Sequence, residues 1–109
     1  MSPEAQWIAI AEVCGWTEVT PSKIWPGRII GSGPRGGIRS DIPDYLTDLN
    51  AMHAAVDAVL IEAGRKGDWR GWDSYVVNLT EMVGGEGAIE ATASQRAEAF
   101  LRTLGKWVD

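Results

Sequence analysis

The chain has 109 residues, 45% of them hydrophobic and 23% charged, with fifteen acidic against ten basic side chains, one His, one Cys and six Trp. That composition fits one soluble globular domain and excludes a two-domain enzyme, a disordered chain and a collagen-like repeat. A net charge of −5 opposes general binding to duplex DNA, whose affinity comes from neutralising many phosphates.

A single Cys forms no disulfide within the chain, and one Cys with one His builds no zinc cage, so neither metal nor cofactor is expected. Met1–Ala5 lacks the basic start and apolar run of a signal peptide. No apolar stretch approaches the ~20 residues of a membrane span, so the expected setting is a reducing cytoplasm with no membrane partner.

Ser2, Pro3 and Glu4 read as a helix cap, a first-turn Pro and a first-turn acid. Trp7, Ile8, Ala11 and Cys14 follow at helical spacing until Gly15. Between Thr17 and Pro43 the pattern turns to short β-rich pieces, Trp16 to Val19, Lys23 to Trp25 and Arg28 to Ile30, broken by Pro21, Pro26–Gly27 and a Gly-rich run from Gly31 to Gly37. From Thr47 or Asp48 to Ala63, Leu49, Met52, Val56, Val59, Leu60 and Ala63 form one apolar stripe, and Gly64 supplies the stop. Trp72, Tyr75, Val76, Leu79, Met82 and Val83 predict a further helix to Val83. A last helix begins near Thr92 to Ser94, buries Ala97, Phe100, Leu101 and Leu104, and ends at Gly105. The expected architecture is a small single-domain α+β fold, an α-β-α sandwich of about four helices on a short few-stranded sheet.

Several constellations resemble chemistry. Gly31–Gly36 matches G-x-G-x-x-G in letters, but Pro34, Gly36–Gly37 and Pro43 oppose the helix that a dinucleotide motif must open. From Val19 to Ser40 there are four basic residues (Lys23, Arg28, Arg35, Arg39) and no acid, leaving −9 on the rest of the chain. Arg28, Arg35 and Arg39 suit phosphate oxygens, Gly-rich backbone presents N–H groups to anions, and Trp25 could stack on a base. The competing reading pairs these arginines with acidic surface.

Asp44 and Asp48 stand at the start of the spine helix, where acids complement its dipole and Thr47 or Asp48 can cap it, with no third partner for metal or acid–base work. His53 has Asp57 one turn later, and Cys14 has no basic neighbour, so both read as packing residues. Trp69–Trp72 is compact and amphipathic, the composition of a binding hot spot, whereas Arg96, Glu98 and Arg102 read as a solvated face.

Two blocks, Ile42–Ala55 and Ala91–Trp107, with the Cys14–Thr17 opening, resemble the phage ABA sandwich domain family of small phage and prophage proteins. The resemblance spans nearly all of residues 1–109, and departs at Val56, where an acid is expected after His53. It implies an α-β-α sandwich acting in the bacterial host cytoplasm, and no catalytic mechanism.

The expected function is a non-enzymatic phage accessory protein that binds a ligand, a nucleotide immune signal of the host in the sharpest form. Trp25, Arg28, Arg35, Arg39, Trp69 and Trp72 are the candidate contacts, and a homo-oligomer completes the site. The alternatives are a protein-interaction module that inhibits a host protein, a structural phage protein without a small-molecule ligand, and a hydrolase using Asp44, Asp48 and His53.

Overall fold

A computed structural model describes residues 1–109. The first helix, α1 (Pro3–Val13), starts where Ser2 Oγ accepts from the Ala5 N–H at 3.1 Å. It ends in a Schellman closure, with Gly15 at φ +96°, Gly15 N–H donating to Glu12 O and Trp16 N–H to Ala11 O. Ile10 and Ala11 are fully buried, while Trp7, Ile8 and Cys14 pack at the edge of the core.

Three antiparallel strands follow in the order β1 (Thr17–Pro21), β2 (Ile29–Ser32), β3 (Ser40–Asp41). A bulge between Thr17 and Thr20 places Glu18 at φ +53°, a region that L side chains rarely adopt. Residues 23–25, expected as a strand, form a turn instead: Ser22 Oγ accepts from Ile24 N–H and Trp25 N–H, and this local bonding outcompetes a sheet ladder.

The spine is one continuous helical rod of three parts: α2 (Leu49–Val56), a π-helical turn (Asp57–Ile61) and α3 (Glu62–Arg65). Asp48 caps it, accepting from the Ala51 N–H at 3.1 Å. The stop is Gly67 (φ +100°), whose N–H donates to Gly64 O. Gly64, expected to end the helix, lies inside it and is buried. A Cβ at this position would run into the Trp69 indole, so the glycine is there to seat a tryptophan.

The buried side of the rod reads Met52, Val56, Leu60, Gly64, every fourth residue. In a straight α-helix that spacing drifts about 40° per step; the wide π turn absorbs part of the drift. Leu49, expected on the stripe, opens α2 directly after its Asp48 cap and is 41% exposed.

The helix α4 (Arg70–Val83) and the helix α5 (Ala93–Thr103) complete the α+β domain. Thr92 and Gln95 form a reciprocal capping box at the start of α5, and Gly105 ends it in another Schellman closure, with Lys106 N–H donating to Leu101 O at 2.8 Å. α5 packs against α1, α2 and α4, and the sheet joins this helical body through α1 together with the buried Ile29 and Ile42. The molecule measures 42 × 29 × 24 Å along its principal axes. No helix is long and apolar enough to cross a membrane.

Replacing Gly64 by Ala should displace Trp69 and cost about 2 kcal/mol by overpacking. Chemical denaturation with tryptophan emission as the signal checks it; an unchanged midpoint refutes the seating role.

Candidate functional site

The basic stretch divides across the sheet. β2 is antiparallel to both neighbours, so the turn holding Lys23, Trp25 and Arg28 and the loop holding Arg35 and Arg39 leave from opposite ends of that strand. The three steps between its four residues, at ~3.3 Å each, set the separation of its ends at about 10 Å.

Arg28 Nη1 pairs with Asp41 Oδ2 at 3.2 Å and its guanidinium lies 5.5 Å from the Trp25 ring centre. Arg39 Nη2 donates to the carbonyl of Glu18 at 2.7 Å, which holds the bulge in place. Arg35 is exposed and makes no side-chain hydrogen bond or ion pair. None of these residues lines the five main cavities of the protein.

The tryptophans also separate by role. Trp7, Trp16, Trp72 and Trp107 pack on the core, and only Trp25 and Trp69 are strongly exposed, at 59% and 44%. Trp107 is held by the Arg102 guanidinium, 5.0 Å from its ring centre, and by its own Nε1–H donating to Asp109.

A cavity of about 270 Å³ opens where the spine, α4 and α5 meet. Its walls are His53, Val56, Asp57 and Ile61 from the spine, Trp72 and Tyr75 from α4, and Arg96 from α5. The π turn supplies two of these residues, and widened helical turns of this kind recur at functional sites. The Trp72 and Tyr75 rings sit 5.7 Å apart at 43°. A shallower groove of about 240 Å³ continues past the same Trp72, Tyr75 and Arg96 toward Val76 and the exposed Ile89.

Arg96 is no solvated surface residue. Its Nε donates to Ala91 O at 3.0 Å and its Nη2 to Ala88 O and Ile89 O at 3.2 and 3.3 Å, tying the 84–91 loop to α5. Tyr75 is 3% exposed, and its hydroxyl is buried without a hydrogen-bond partner. Burial pushes the phenol pKa up, while the Arg96 guanidinium, close enough to act first as a hydrogen-bond donor and then through its charge, pulls it down, and burial prevails. The hydroxyl is therefore a protonated donor at neutral pH. Asp57 Oδ1 accepts from Arg65 at 3.4 Å, leaving Oδ2 toward other partners.

No family model, curated protein or solved structure matches the chain. Trp72 is the one member of the cavity wall that sequence reasoning assigned to binding. His53 and Asp57 are visible in the sequence as an i, i+4 pair, with His53 read as a packing residue and not as part of a cavity wall. Tyr75 looked like an ordinary stripe residue and Arg96 like a surface charge. A phenol placed mid-helix among apolar residues was the only hint that something polar would be buried there.

Elsewhere the titratable chemistry is muted. Asp48 caps α2, while Asp44 Oδ1 accepts from Leu46 N–H in the turn that precedes it. Burial pushes the Cys14 thiol up to about 11 against a smaller opposing effect of its hydrogen bond with Tyr45. The Tyr45 phenol is itself pushed up to about 12, chiefly by burial and secondarily by Cys14.

Both folded-state values lie above those of the exposed chain, so the unfolded state loses these protons first. Stability should be intact below pH 9 and fall as pH rises from about 9 toward 12, which urea midpoints at pH 8 and pH 11 will show. In the same pair of conditions, alkylation of Cys14 should be slow at pH 8 until denaturant is added.

Replacing Arg96 by Leu should cost about 2 kcal/mol or more, because three carbonyls lose a charged donor. Limited proteolysis of that variant should cut first within residues 84–91.

Proposed function

We propose that the protein is a non-enzymatic phage or prophage accessory protein that binds a small ligand in the cavity between the spine, α4 and α5. The observation that carries this reading is the convergence, in one largely apolar cleft, of a half-buried indole (Trp72), a tyrosine ring (Tyr75) and the Arg96 side chain, with His53 and Asp57 on the facing wall. Predominantly apolar clefts with a few placed polar groups are the usual form of small-molecule sites.

The two blocks that resemble the phage ABA sandwich domain family support the same place. Ile42–Ala55 brings His53 to the cavity and Ala91–Trp107 brings Arg96. In its sharpest form the proposal is sequestration of a nucleotide immune signal in the host cytoplasm. The base stacks on Trp72, and the phosphates face the solvent or a second copy of the chain.

A second reading, inhibition of a host protein, draws support from the exposed Trp69 indole beside the cavity-lining Trp72.

A nucleotide-panel thermal shift distinguishes these. A ligand at 100 times its Kd stabilises by about 2.7 kcal/mol, a shift of several degrees for a domain of this size. The expected result is a shift that Trp72→Ala abolishes and Arg28→Ala with Arg35→Ala preserves. Loss with the two arginine variants alone moves the site to the basic loops, and no shift with any nucleotide refutes sequestration.

A further inference from the structure

We infer that the turn between β1 and β2 of one copy of this chain docks in the groove past Trp72 and Val76 of a second copy. The contact is head to tail, an apolar, cationic tip against an apolar groove with an acidic rim.

The tip is built to be presented. Ile24 and Trp25 are 77% and 59% exposed, and neither packs on the core of its own chain. A loose turn would lose entropy on docking, but this one is closed in advance. Ser22 Oγ accepts from the Ile24 and Trp25 N–H groups, Ser22 N–H donates to Arg28 O at 2.8 Å, and Arg28 N–H donates to Trp25 O at 3.3 Å. The Arg28 guanidinium, paired with Asp41 and 5.5 Å from the indole centre, holds the ring in place. Lys23 beside it is exposed and makes no ion pair.

The groove offers the converse. It encloses about 240 Å³, room for an indole, between Trp72 and Val76 of α4 and Ala88 and Ile89 of the loop that follows. Ile89 is 85% exposed at its edge, and Trp72 supplies an aromatic wall. Glu86 and Glu90 stand on the same loop, exposed and without ion pairs. Arg96, the one cation of the wall, offsets only one of these charges and is bonded to carbonyls of that loop.

Charge decides the arrangement. Groove against groove sets acids against acids, and tip against tip sets cations against cations; tip against groove alone matches both charge and apolar surface. Two different patches make a heterologous contact, which closes into a ring or continues as a filament. A single turn in a single groove buries less than the roughly 1,200 Å² of stable complexes, so the assembly is reversible and depends on concentration. The inference goes beyond the ligand-binding reading and does not rest on it.

Sedimentation velocity of the full chain over a range of concentrations tests it, and the average mass should rise above that of the monomer. Ile24→Ser with Trp25→Ser, and separately Val76→Ser with Ile89→Ser, should each give a monomer that melts near the wild type, since all four side chains are exposed. An equimolar mixture of the two double variants keeps one working tip and one working groove, and should form a 1:1 dimer and nothing larger. Lys23→Glu should weaken wild-type assembly about tenfold by setting like charge against the rim.

A wild-type chain that stays monomeric, a double variant or Lys23→Glu that assembles as the wild type does, or a mixture without dimer would each overturn the proposal. So would a monomer whose tip binds phosphatidylglycerol vesicles instead. The nucleotide shift is read in parallel on the tip variant, and its presence or absence bears on the ligand reading alone.

Discussion

Phe100 and Leu101 have no exposed surface, and they lie on the one helix that touches α1, α2 and α4. That helix brings large side chains at 100 and 101 and small ones at Ala93, Ala97 and Ala99, so its neighbours approach closely around a few bulky anchors. The rest of the domain inherits its positions from this packing. α1 brings the sheet, the spine brings His53 and the π turn, and α4 brings Trp72 and Tyr75. Arg96 stands on α5 as well, so the cation of the cavity moves only if the core moves. A site built this way is preorganised by the fold and gains little from loop closure.

Local signals in the sequence fared best. Ser2, Asp48 and Thr92 cap helices as their residue types require, and Gly15 and Gly105 end them in left-handed conformation. The α+β class and the helical stripe of α4 were legible for the same reason, since they depend on residues close in sequence.

What was hidden depended on contacts across the fold. Nothing local says that Gly64 continues a helix rather than stopping it, because the reason is an indole five residues later that folds back onto it. Nothing local says that Arg96 will find three carbonyls in the preceding loop. The strand expected at residues 23–25 failed in the other direction, where one serine hydroxyl decided the backbone.

The charge layout takes on a different meaning once partners are known. The stretch from Val19 to Ser40 carries four cations in sequence, but Arg28 faces Asp41 and Arg39 is bound to the carbonyl of a residue with positive φ. These side chains fasten a small, weakly paired sheet. Its final strand is two residues long and its first is bulged, so ladder bonds alone give it little hold. Arginine supplies what strand length does not.

The wide turn at Asp57–Ile61 has a bearing on how chain length can vary. A π turn holds one more residue than the α-helix it interrupts, while the helix on either side keeps its direction. Losing a single residue there would close the turn to ordinary α-helix and leave the capped start at Asp48 and the Gly64–Trp69 seat in register. The turn carries both the cavity wall residues Asp57 and Ile61 and the core residue Leu60, so the change would spare the core only where Leu60 keeps its buried place. Deletion of one codon, ruinous in most helices, is at this place a way to reshape the cavity wall while the helix on either side keeps its register.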